Sequence, residues 1–183
     1  LTRGADALYR DTLEREGEFA LDLVSIGTAI AEARALPSKA HGPLILADTQ
    51  DNPGAGGNAD TTSLLKALVA AAVPGTVAGV FWDPPAAAAA HAAGVGKSIE
   101  ISLGAKSGFP GETPLAGPMK VLALGDGRFT GTGPFYRGGR FELGSMARLG
   151  IGTVEVVVAS RKQQAADQAM FRHLGCEPAA ARV

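Results

Sequence analysis

Asp48-Thr49-Gln50-Asp51-Asn52-Pro53-Gly54-Ala55-Gly56-Gly57-Asn58-Ala59-Asp60-Thr61-Thr62 is the densest set of groups in the chain with the means to recognise another molecule. Three glycines clear side chains from the backbone, so that a ligand can approach it closely. Asp51 and Asn52 offer oriented oxygens, and Thr61 and Thr62 offer hydroxyls where a helix is due to begin. A glycine-rich turn between a strand and a helix aims main-chain N–H groups and the positive end of a helix dipole at one spot. The chemistry implied is binding rather than bond breaking. Asp51, Asn52, Gly54, Gly56, Gly57, Thr61 and Thr62 are therefore candidate substrate-binding residues. More plainly, Asp-Asn-Pro-Gly makes a tight turn and Asp60 a helix cap, although such a turn needs fewer glycines.

A second polar group, Ser160-Arg161-Lys162-Gln163, leaves a β-branched run. If that run lies parallel to the strand before the glycine-rich loop, both groups share one edge of the sheet. Ser160 and Gln163 then become candidates for binding substrate amides or carboxylates, with Arg161 as an anion clamp. Equally, Ser160 caps a helix and Arg161-Lys162 is its solvated first turn.

Other patterns fail on context. Gly54-x-Gly56-x-x-Ala59 matches a dinucleotide fingerprint on paper, but Pro53 and the residues after Asp48 spoil the tight strand–turn–helix geometry. A phosphate- or nucleotide-binding module built on residues 51–62 is the alternative function. Gly94-Val95-Gly96-Lys97-Ser98 lacks the upstream glycine of a P-loop and runs into a strand pattern. For metal, the inventory is His41, His91, His173, Cys176 and scattered carboxylates, without paired cysteines or a His-Glu-x-x-His helix. Gly144-Ser145-Met146 is not a nucleophile elbow. No catalytic residue and no metal ligand is assigned to this chain.

The elements that must position these groups follow from periodicity. Ala5, Leu8, Tyr9, Thr12 and Leu13 share one helical face, stopping at Gly17. Leu21–Leu36 reads as a helix with Leu23, Ile26, Ile30 and Ala33 inward. Pro43–Asp48 is a short apolar run, expected as a strand buried on both faces. Ser63–Val73 is a helix, Thr76–Trp82 a strand, Asp83-Pro84 the start of an Ala-rich helix ended by Gly94, and Ser98–Leu103 a strand. From Gly104 to Gly150 the runs Met119–Leu124, Arg128–Thr130 and Arg140–Leu143 suggest an antiparallel meander, with a hairpin turn at Gly125-Asp126-Gly127. Thr153–Ala159 is a strand and Gln163–Leu174 a helix ending at Gly175. The expected fold is layered α/β, a mostly parallel or mixed sheet with flanking helices and an antiparallel β-meander insertion.

The chain of 183 residues suits one domain. Charged residues make up only 19%, which hints at a surface covered by another domain or by a homodimer partner. A net charge of -1 with scattered basic residues argues against nucleic acid. No apolar run approaches bilayer length, and one cysteine fits a reducing, cytoplasmic setting.

The loop 48–62 resembles the "DxxDNPGGG…GDTT" segment in the C-terminal domain of the microcystinase-C-like metallopeptidase family. Further matches follow in order: Asp83-Pro84, Ala93-Gly94-Val95-Gly96, Leu103-Gly104-Ala105-Lys106, Asp126-Gly127-Arg128-Phe129, Gly133-Pro134, and Ser160-Arg161-x-Gln163 with Asp167, Phe171 and Gly175. The resemblance covers roughly residues 20–183, departing at Ala55, Asn58, Ala105 and Cys176. It implies a zinc-dependent peptidase or amidohydrolase acting on linearised cyclic or other small peptides. It also implies that zinc is held by a separate N-terminal catalytic domain, the partner of this one in the same polypeptide. Residues 1–18 would then be a connecting helix and 19–183 the C-terminal domain, contributing substrate contacts from the Asp51–Gly57 loop, Thr61, Thr62 and Gln163. Lys106 is a lesser candidate.

Overall fold

The computed structural model describes residues 2–37 and 41–183; Leu1 of the expected connecting segment lies outside them. Its helices are α1 (Thr2–Glu14), α2 (Ile26–Ala35), α3 (Ser63–Ala70), α4 (Pro84–Ala93) and α5 (Ala169–Arg172). Its strands are β1 (Thr76–Trp82), β2 (Ser98–Leu103), β3 (Leu115–Gly125), β4 (Arg128–Thr130), β5 (Arg140–Glu142), β6 (Met146–Ile151) and β7 (Val154–Ala159). Five strands form one sheet in the order β1-β7-β6-β3-β2, and β4 pairs with β5 in a small second sheet. Among the described residues only β1 and β7 run parallel; the other neighbours in this sheet are antiparallel, so it is mixed.

β7 shows why the sheet is buried. Its β-branched side chains fit a pleated surface, and alternate residues face opposite sides. Val154, Val156 and Val158 join one core with Leu65, Leu68 and Leu149. Val157 and Ala159 join the other with Met146, Met170 and Leu174, against which Phe129, Tyr136 and Phe141 pack. On the first side α4 buries Ala86, Ala87 and Ala90, side chains small enough for the helix to lie close. Asp83 caps that helix through Ala86 N at 3.0 Å, and Gly94 ends it at φ 87°, both as the sequence suggests.

Several expectations need correction. Pro43–Asp48 is extended but belongs to no strand: Leu44 and Leu46 pack on the core while Ile45 is 81% exposed. Leu44 N bonds to the Arg182 carbonyl and Val77 N to the Val183 carbonyl, so the C-terminal residues reach β1 at that point. The helix expected from Leu21 begins at Ile26, where Ser25 accepts from Thr28 N at 3.1 Å, and Leu23 and Ile26 are exposed, not inward. α1 forms but buries no residue. Gly125-Asp126-Gly127 joins β3 to β4, which lie in different sheets, so it is not a hairpin. β6, inside the glycine-rich region, has no counterpart in the sequence reading. The helix expected over Gln163–Leu174 is confined to α5 because the Asp167 side chain is committed elsewhere. Its carboxylate accepts from Gly133 N at 2.9 Å and Ala169 N at 2.8 Å, tying the chain to the loop between β4 and β5.

Candidate functional site: a loop knotted by carboxylates beside a cleft

The glycine-rich loop is organised around its own Asp51. Oδ1 accepts from Asn58 N at 2.7 Å and Ala59 N at 2.8 Å; Oδ2 accepts from Asp60 N and Thr61 N, both at 2.7 Å, and from the Thr61 hydroxyl at 3.0 Å. Main-chain donors that the sequence suggests for an incoming anion are thus already spent on an internal one. This corrects the expectation of a free amide cradle. Burial pushes the Asp51 carboxyl up, but the amides of Thr61, Ala59 and Asn58 and the Thr61 hydroxyl outweigh it and hold the group below its ordinary range.

Asn52 continues the turn: Oδ1 accepts from Gly54 N at 2.9 Å, and its carbonyl accepts from Ala55 N and Gly57 N at 2.9 Å. Gly57 is required by close approach, since a Cβ there would stand 2.6 Å from the Asp51 carbonyl carbon. Gly56 sits at φ 95°, a conformation glycine adopts without strain. Thr62 turns inward, fully buried; Glu112 Oε2 accepts from its amide at 2.8 Å, and its hydroxyl lies 2.7 Å from the Thr113 carbonyl. Asp60 is not the expected cap. Its buried carboxylate accepts from Lys106 N at 2.8 Å, Ser107 N at 2.7 Å and the Ser107 hydroxyl at 2.8 Å. Asp83, also fully buried, accepts from Gly104 N at 2.8 Å and pairs with Lys106 Nζ. Lys106 therefore serves as an internal tie between β2 and the start of α4.

Beside the loop lies a cleft of about 410 Å³, bounded by residues 43–48 and β1, with Asp51, Asn52, Thr61 and Gln163 among its lining. Leu64, Leu65, Leu68 and Phe81 contribute apolar wall. Gly54, Gly56, Gly57, Thr62 and Ser160 do not line it. Ser160 Oγ is 3.4 Å from the Leu143 carbonyl, and Arg161 pairs with Glu142 at 3.3 Å. Gln163 donates to the Tyr136 hydroxyl at 3.0 Å, which brings the β4–β5 loop to the cleft mouth. Nothing in the sequence pointed to Tyr136, a contact made across two sheets. Trp82, Asn58 and Lys162 meet next to residues of the cleft lining; Asn58 and Lys162 lie inside the two polar runs singled out from the sequence, and nothing there marks Trp82.

The internal carboxylates make an acid prediction. Glu112 behaves as Asp51 does: burial raises it, while the Ser63 hydroxyl and the amide and hydroxyl of Thr62 lower it further. A group depressed on folding stabilises the fold above its unfolded value, about 4 for these side chains, and loses that contribution as pH falls through the folded value. The urea midpoint is expected to be flat above roughly pH 5 and to fall steadily below about pH 4. In D51N part of that slope should vanish; an unchanged slope would contradict the assignment.

The side chains present do not fit a zinc centre. Among the described residues no three His, Cys, Asp or Glu groups come together. His91 Nε2 lies 3.0 Å from the Met146 carbonyl, and His173 Nε2 accepts from Gly127 N at 3.1 Å. The Cys176 thiol is pushed up by burial, which disfavours the thiolate a metal needs. No helix among the described residues is long and apolar enough to cross a membrane.

The fold is that of a mixed α/β domain whose cleft is walled by loop and strand residues. The chain belongs to the family described as MlrC C-terminus, whose family model matches residues 46–183. It is 30% identical over 137 residues to Microcystinase C of Sphingomonas sp., covering 75% of this chain and 26% of that protein. A solved structure, "Putative metallopeptidase from Mesorhizobium sp. BNC1", aligns over 93% of this chain and 33% of its own, at 26% identity and a TM-score of 0.80. The chain thus spans about a quarter to a third of these relatives' lengths.

Proposed function

We propose that this chain is the substrate-side domain of a zinc-dependent metallopeptidase that hydrolyses small or linearised cyclic peptides. The catalytic zinc is held by residues outside this sequence, in an N-terminal domain. Zinc, when bound there, polarises the scissile carbonyl and activates water; this chain binds and orients the peptide. The observation that carries the proposal is the cleft between residues 43–48 and β1, with Asn52, Thr61 and Gln163 in its polar lining and leucines along its wall. Asp51 acts through the loop it holds rather than by touching substrate, Gly54, Gly56, Gly57 and Thr62 do the same by shaping its turns, and Ser160 lies apart from the loop, against the Leu143 carbonyl. The free side-chain carbonyl of Gln163 is positioned by Tyr136 to accept from a peptide N–H.

Short linear peptides with apolar side chains are expected to bind the isolated chain and slow hydrogen exchange at residues 44–48 and 76–81. Gln163→Ala should weaken that binding about tenfold, the scale of a lost hydrogen bond that leaves a partner unsatisfied. Binding that leaves exchange at both walls unaltered would defeat the proposal. A phosphate- or nucleotide-binding role is disfavoured by the Asp51 carboxylate, which occupies the amides such a ligand would need.

A further inference from the structure

We infer that Lys162 reads the C-terminal carboxylate of a linear peptide lying at the mouth of the cleft. The inference rests on the proposed peptide-binding role and adds a specificity determinant to it. Three elements meet at this ammonium. It stands 4.4 Å from the centroid of the Trp82 ring, at the carboxyl end of β1. It donates to Asn58 Oδ1 at 2.5 Å, in the glycine-rich loop. Its own backbone leaves β7, the strand parallel to β1, so both strands deliver their carboxyl ends to the same edge. Asn58 and Lys162 adjoin Ala59 and Gln163, which line the cleft.

The charges around it decide what this group can do. Neighbouring Arg161 shares Glu142 with Arg128, whereas no carboxylate pairs with Lys162 among the described residues. An ammonium has three donors; Asn58 takes one and the indole face takes charge without consuming a donor directed elsewhere. Asn58 and Trp82 together hold a normally mobile side chain in one place, lowering the entropy lost when an anion binds. Hydrolysis of a ring or of an internal bond leaves a chain with a free carboxylate, which is the charge this group lacks.

Trp82 is the only tryptophan, so its fluorescence reports directly on this contact. Three probes suffice: acetyl-Ala-Leu-Ala as the free acid, the same peptide as the amide, and acetyl-Asp-Leu-Ala-amide. The acid is expected to shift Trp82 emission and to bind about tenfold more tightly than either amide. Lys162→Met should abolish that difference and Lys162→Arg should keep most of it, with the urea midpoint unchanged in both. Equal binding of acid and amide, with the cleft walls still protected from exchange, would overturn the carboxylate role while leaving the peptide site standing. Equal binding of the aspartyl amide would overturn the terminal assignment. No response to any of the three would overturn both.

Discussion

Asp51→Ala is expected to destabilise the chain by about 3–4 kcal/mol, because four main-chain amides and a hydroxyl lose their common acceptor at once. Hydrogen bonds to a charged group contribute about 1.5–3 kcal/mol each, and water recovers part of the loss at this half-buried site. In a domain of this size that corresponds to a fall in Tm of roughly 8–14 °C. Asp51→Asn keeps one acceptor oxygen but places an NH2 group against two N–H donors, so it should recover less than half of the stability. Calorimetry of both variants checks the order. A midpoint within 2 °C, or roughly 1 kcal/mol, of the parent in Asp51→Ala would contradict the central role of this carboxylate.

Asp83→Ala should cost about as much or more, 3–5 kcal/mol as an estimate for breaking a buried pair by removing one partner. Asp83 is fully buried and holds Ala86 N, Gly104 N and Lys106 Nζ together. Removing it leaves the N-terminus of α4 uncapped and the Lys106 charge with only the Ser102 carbonyl, 2.6 Å away, as its remaining contact. Lys106→Met is the informative comparison. Lys106 is 30% exposed and its stem is long, so solvent can satisfy the remaining side of Asp83, and the loss should be about 1–2 kcal/mol. Equal losses in the two variants, measured by urea unfolding, would show that the pair rather than the carboxylate is what the fold needs.

These two carboxylates illustrate what the sequence does and does not disclose. Asp83-Pro84 announces a helix start because capping is local: the acceptor lies three residues from its donor. The role of Asp83 toward Gly104 and Lys106 is invisible, since it depends on how β2 ends against α4. Asp51 stands out in the sequence, but its spacing does not disclose that its own loop supplies the donors to its carboxylate. The glycines that let a ligand approach a backbone also let a backbone wrap its own side chain, and spacing alone does not distinguish them. Pro43–Asp48 shows a different limit. Its apolar run has the composition of a buried strand, yet the C-terminal residues Arg182 and Val183 occupy hydrogen-bonding groups on both it and β1. β7 is legible because four valines within five residues, Val154 and Val156 to Val158, have few other uses in a folded chain. The helix expected after it is not, because Asp167 carries the periodicity of a helix but spends its oxygens on Gly133 and Thr132.

β7 also sets how the molecule comes apart. Consecutive residues of this one strand belong to opposite sides of the sheet, Val156 and Val158 to one and Val157 to the other. A slip of one residue would exchange the two sets and leave both mismatched. Neither hydrophobic layer can therefore dissolve while its neighbour persists. The central sheet behaves as one cooperative unit, whereas α1, which buries nothing, stands outside that unit and melts on its own account.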